Sequence, residues 1–129
     1  MSVDPIANAL THIKNSENAS RKACSISQGS KLLREILRVM QENGYVKGVE
    51  WTQDRRGSHA AVSLQGHINE CQVVKPRYAV KKDEFEKFEK KFLPARDIGI
   101  LIVSTPKGVL THKAAKADGV GGRLLAYVF

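Results

Sequence analysis

Cysteine is scarce in this 129-residue chain, with Cys24 and Cys71 far apart and no Cys-x-x-Cys pair between them. That spacing offers neither a zinc site nor a disulfide framework, and both thiols are expected to be buried and reduced. His12, His59, His67 and His112 are scattered as well, and none is spaced as a helical pair of metal ligands. No metal and no cofactor is therefore expected. Long apolar runs are missing: nothing approaches the roughly 18 residues of a membrane span. The opening "MSVDPIANAL" has neither the basic region nor the apolar core of a secretory signal. A cytoplasmic protein with no membrane partner is the expectation.

Acidic side chains are in deficit, 13 Asp and Glu against 21 Lys and Arg, which leaves a formal charge of +8. Such a surplus sets up a positive field that favours polyanions, of which nucleic acid is the commonest soluble one. An anionic membrane surface would call for a segment both amphipathic and basic along one face, and the sequence has none. Catalytic signatures are absent too. "GVGG" at 119–122 lacks the third glycine and the strand-turn-helix context of a dinucleotide site, and there is no P-loop or Gly-x-Ser-x-Gly. Nothing places a histidine and an aspartate beside Ser104, so it is not read as a nucleophile. No catalytic residue, no enzymatic activity and no small-molecule substrate are expected.

What is present reads as an α+β fold. Val3, Ile6, Ala7, Leu10 and Ile13 follow helical spacing, with Ser2 or Asp4 as cap and Pro5 in the first turn. "RKACSISQ" reads as a short strand, and Ser30 opens a second helix with Leu33, Ile36, Leu37 and Met40 inward, ended by Gly44. "YVKGVEWT" and "HAAVSLQG" form a hairpin across the basic "QDRRGS". These elements make an α-β-α-β-β lobe over residues 1–66, expected to pack against a mainly β lobe with short helices over 67–129. In the second lobe "NECQVV" is a strand running into "KPRYAV", where Pro76 implies an edge or bend. "KKDEFEKFEKKF" is a helix with Lys82–Glu86 and Glu86–Lys90 pairs. Its stripe of Phe85, Phe88 and Phe92 is read as core, and its nearly cancelling charges make it a poor phosphate binder. "IGILIVS" is a buried strand, Thr111 caps a helix that Gly119 ends, and "RLLAYVF" is the last strand.

Between the buried strand and that helix lies "STPKG", residues 104–108. Small hydroxyls, backbone amides and one lysine suit the ribose 2′-OH, phosphates and shallow edges of folded RNA. Pro106 fixes the turn, and Gly108 lets backbone come close. Residue types alone equally allow an ordinary strand-to-helix turn.

Four blocks carry a resemblance in colinear order: "VDPIANALTHIKNS", "SKLLREILRVMQENGY", "VKPRYAV" and above all "GILIVSTPKGVLTHKAAKADGVGGRLLAYVF". Together they resemble the family of small-subunit ribosomal protein eight. The resemblance implies direct binding to the central domain of small-subunit rRNA and support of subunit assembly. It also implies neighbouring ribosomal proteins as partners and, in some members, repression of their own mRNA. It implies that Ser104, Thr105, Lys107 and Gly108 form the main RNA-contacting loop, with Tyr78 as a platform and Gly121 and Gly122 shaping the adjoining turn. Thr11, Lys14 and Asn15 on the first helix, and Ser30 and Lys31 at the start of the second, match positions that approach other RNA segments. The long "KKDEFEKFEKKFLPARD" is similar to archaeal and eukaryotic members, and "RLLAYVF" favours the archaeal ones. His12 departs from the arginine usual in bacterial relatives, and Ala114 from a glutamate. Dispersed cations, among them Arg21, Lys22, Arg55, Arg56 and Arg123, are expected to add sequence-independent attraction. Two other readings stand beside this one: a ribosome-independent mRNA repressor, and a protein-interaction module built on the phenylalanine stripe.

Overall fold

The structure, a computed structural model, describes residues 5–27, 31–55, 57–95 and 98–129. The expected caps Ser2 and Asp4, together with Val3, Ser30 and Arg56, lie outside the described residues. The chain divides into two compact units, Met1–Asn69 and Glu70–Phe129. Among the described residues there are four helices and two antiparallel sheets, the expected α+β architecture with an N-terminal α-β-α-β-β unit and a β-rich second unit.

In the first unit, α1 (Pro5–Asn18), β1 (Ala23–Ile26), α2 (Lys31–Glu42), β2 (Val46–Asp54) and β3 (Gly57–Leu64) follow one another. The strands lie in the order β1-β3-β2, all antiparallel. Register sets the faces. Cys24 opposes Val62 and Ile26 opposes Ala60, all four buried, while Ser25 and its opposite Ala61 are exposed. Helix α1 packs by β1 and α2 by β2. The inward sides are Ile6, Ala9, Leu10 and Ile13 on one helix and Leu33, Ile36, Leu37 and Met40 on the other. Helix α2 ends as expected: Gly44 has φ +80°, its N–H donates to Gln41 O, and Tyr45 N–H donates to Met40 O.

The second unit contains β4 (Cys71–Val73), β5 (Ala79–Val80), α3 (Phe85–Phe92), β6 (Ile100–Thr105), β7 (Gly108–Thr111), α4 (His112–Asp118) and β8 (Gly122–Val128). The sheet order is β4-β8-β6-β7, and β5 also pairs with β8. Strands β4 and β5 share one edge of β8 and are interrupted around Pro76, which cannot donate to the ladder. Strand β6 lies between two neighbours, and Ile100 to Val103 are buried. Val103, Leu101 and Leu124 join Phe85, Phe88 and Ala115 in the core.

Two expectations are corrected here. The helix expected from residue 81 begins at Phe85, because Glu84 closes a turn first: its N–H donates to Lys81 O and its carboxylate accepts from Lys81 N–H. Lys82 therefore precedes the helix, and no helical Lys82–Glu86 pair exists. The stretch read as a loop before α4 holds a further strand, β7, so "STPKG" is the tip of a hairpin.

Helix α4 has its expected ends: Thr111 Oγ1 accepts from Ala114 N–H, and Gly119 has φ +68°. Its first residue, His112, is 2 % exposed. Leu101 N–H donates to His112 Nδ1 (3.1 Å), so Nε2 carries the proton and donates to Glu89 Oε1 (3.1 Å). Burial holds this imidazole below the usual histidine range; Glu89 opposes that, and Lys116 and Lys113 add to it. A lowered folded pKa means that the unfolded chain binds more protons below about pH 6.5. The stabilisation is complete above that pH and is lost as pH falls toward the folded value. Urea unfolding of the native chain should thus give falling stability as the pH drops below about 6.5. In His112→Gln, which keeps an acceptor and a donor, this part of the slope should vanish; an equal slope in both chains would contradict the assignment.

Candidate nucleic-acid interface

The hairpin tip follows from its sequence. Thr105 pairs with Gly108, leaving Pro106 and Lys107 as the turn. Proline fixes a negative φ at the first turn position, and Gly108 at φ +114° brings the chain back into β7, a conformation L side chains rarely adopt. The Thr105 hydroxyl donates to Gly108 O (2.7 Å) and accepts from Lys107 N–H (3.2 Å). Thr105 thus braces the turn from inside. Among the described residues the Ser104 hydroxyl, half-exposed at the end of β6, makes no hydrogen bond.

A bulge decides what stands beside Ser104. Ile102 opposes Ala126, but Val103 opposes Leu124, so Leu125 is an extra residue in β8 and Ser104 faces Arg123. Without it Ser104 would face Leu124. The same cross-strand row continues through Arg123 to Ala79 of β5. Lys107 and Arg123 are exposed, and among the described residues neither has a carboxylate partner. The arrangement is therefore an open hydroxyl accompanied by two solvated cations on a braced hairpin, fit to hydrogen-bond and neutralise phosphate and ribose oxygens. Sequence reasoning counted Arg123 only among dispersed cations. Alternation in "RLLAYVF" separates Arg123 from Leu124, but nothing local in the sequence reveals the bulge.

Two glycines hold the strands at this distance. A Cβ on Gly122 would overlap the Ser104 carbonyl oxygen, and one on Gly121 would overlap the Val80 oxygen. Both obstacles are backbone, which cannot swing aside. The expected shaping of the turn by these residues thus has a physical basis in close approach.

Tyr78 is half-buried at the edge of β5. Its ring lies 5.6 Å from that of Phe88, and Lys91 Nζ stands 4.6 Å from its centroid. Tyr78 O accepts from Leu124 N–H (2.9 Å), one residue from Arg123. In the other unit, Thr11, Lys14 and Asn15 share one side of α1, with Thr11 and Asn15 exposed and Lys14 half-buried; Lys31 is exposed at the first residue of α2. Ser30 lies outside the described residues. The structure thus gathers Ser104, Thr105, Lys107 and Gly108 at one tip, whereas Thr11, Lys14, Asn15 and Lys31 belong to the separate first unit.

The family model described as Ribosomal protein S8 matches residues 4–129, nearly the whole chain.

The glycine at 122 gives a direct test of this geometry. Gly122→Ala should cost roughly 1–3 kcal/mol, as overpacking between strands does. Urea denaturation measures it, and an unchanged midpoint would show that β6 and β8 have room to spare.

Proposed function

The chain belongs to the ribosomal protein S8 family, whose members are non-enzymatic structural proteins of the small ribosomal subunit, and from that premise we propose how it binds rRNA. It binds the central domain of small-subunit rRNA directly and supports subunit assembly beside neighbouring ribosomal proteins in the cytoplasm. The lobe over residues 67–129 carries the main contact, made by Ser104, Thr105, Lys107 and Gly108. Tyr78 serves as a platform whose ring is steadied by Phe88 and Lys91. Thr11, Lys14, Asn15, Ser30 and Lys31 approach other RNA segments. The archaeal type is favoured over the eukaryotic, on the long α3 segment and the "RLLAYVF" ending. Among the described residues no helix is long and apolar enough to cross a membrane.

One observation carries this reading: among the described residues the Ser104 hydroxyl is open while the Thr105 hydroxyl braces its turn, and Lys107 and Arg123 beside them have no carboxylate partner. Side chains cannot read the deep, narrow major groove of A-form RNA, so recognition relies on such small groups reaching an irregular, shallow surface. The cations add attraction that depends on salt and little on sequence.

Ser104→Ala should weaken binding to a central-domain rRNA transcript by roughly 1 kcal/mol or more, about fivefold in Kd, with stability unchanged. Thr105→Ala should lower binding and folding stability together. Filter binding and urea melts on both variants separate the roles, and undiminished binding by the double variant would refute the tip assignment. Lys107→Ala should reduce the slope of log K against log salt by a little under about one. The same slope as the native chain would mean that Lys107 meets no phosphate. Membership of the particle is tested by co-sedimentation with small subunits after a high-salt wash. Retention is expected; loss from subunits together with tight binding to a messenger hairpin would favour the repressor reading instead.

A further inference from the structure

We propose that the flank of α3 bearing Lys87 and Lys91 is a second contact for the RNA backbone. The inference rests on the rRNA-binding reading above and extends it to a helix whose total charge nearly cancels. Cancellation along the sequence is not cancellation in space. Phe85, Phe88 and Phe92 form the inward strip of the helix, with Phe92 stacked on Tyr127 at 5.4 Å. On one side Glu86, Glu89 and Lys90 line a cavity of about 540 Å³ shared with His112, Lys113 and Lys116 of α4. There Glu89 accepts from His112 and pairs with Lys116 Nζ. The acidic side of α3 is thus turned toward, and balanced by, the basic side of α4.

The opposite side keeps its positive charge. Lys91 Nζ stands 4.6 Å from the Tyr78 ring centroid, 3.4 Å from the Tyr78 hydroxyl oxygen and 5.5 Å from the Phe92 centroid. Lys87 Nζ is 5.8 Å from the Phe88 centroid. Among the described residues neither ammonium has a carboxylate partner. Of the acids a turn away, Glu84 is engaged by the Lys81 amide, and Asp83 precedes the helix. Ring faces attract the ammonium groups without neutralising them, so two cations are held about 6 Å apart along the helix axis despite their mutual repulsion. A held cation loses less freedom on meeting a phosphate than a freely moving one.

Charge and aromatic edges favour a nucleic acid over a protein as occupant. A protein interface would use an exposed apolar anchor at its centre. Among the described residues the exposed large hydrophobics are confined to Ile98, which lies outside α3.

The test uses the full chain and a transcript of the rRNA central domain, with Kd measured across a salt series. Lys87→Gln/Lys91→Gln should bind roughly tenfold more weakly, with a log–log salt slope shallower by about 1.4–1.8. Lys90→Gln, on the cavity side, should leave the slope unchanged, and Lys87→Arg/Lys91→Arg should restore it. Thermal melts confirm that each variant is folded. A double Gln variant that keeps the native slope while the native chain binds well would overturn the proposal and leave the hairpin assignment standing. So would a native slope coupled to lost binding of a neighbouring ribosomal protein. A native chain that ignores the transcript altogether would refute the rRNA reading itself.

Discussion

The second unit is organised by the close approach of β6 and β8, which requires residue 122 to lack a side chain. A Cβ there would meet the Ser104 carbonyl, so glycine alone lets the ladder form at this point. The ladder fixes Ser104, and Ser104 begins the hairpin tip. The Leu125 bulge then rotates β8 so that Arg123, not an apolar neighbour, stands across from the serine. Packing beneath makes this placement rigid: Leu101, Val103 and Leu124 are all fully buried. Thr105 completes the bracing with two hydrogen bonds inside the turn.

Rigidity matters because the groups at the tip are individually weak. A neutral hydrogen bond contributes on the order of 1 kcal/mol, and a solvated lysine contributes mainly through counterion release. Such contributions accumulate only if little freedom is lost on binding, which a short, proline-fixed hairpin ensures. The buried His112–Glu89 pair serves the same end elsewhere, tying α4 to α3 and to the backbone of β6. With His112 neutral and Lys116 paired to the same carboxylate, α3 turns Glu86 and Glu89 toward α4 and leaves its opposite flank basic.

Much of the fold was legible because its signals are local. Helical spacing in α1 and α2, Gly44 and Gly119 as terminators, Thr111 as a cap and the apolar run of β6 each act within a few residues. The tip residues were legible too, since serine, threonine, proline, lysine and glycine suit a tight polar turn. Strand β7 was missed because it is four residues long and ends on Thr111, whose capping signal made the preceding stretch look like a loop. The start of α3 was misplaced because helix-forming composition extends past Glu84, whose carboxylate closes a turn instead. The position of Arg123 was hidden because register between β6 and β8 is a non-local property decided by one bulge. The sidedness of α3 was hidden for a related reason: composition sums charges that the fold separates, with Glu86, Glu89 and Lys90 toward α4 and Lys87 and Lys91 on the other flank.

The central claim is that the hairpin tip, held by the β6–β8 approach, is the principal surface in the second unit that meets rRNA. An NMR titration of the labelled full chain with a central-domain transcript tests this most directly. The account predicts the largest amide shift changes in the second unit at Ser104, Thr105, Lys107, Gly108 and Arg123. Saturable binding that leaves these amides unmoved while others in the second unit shift would contradict it.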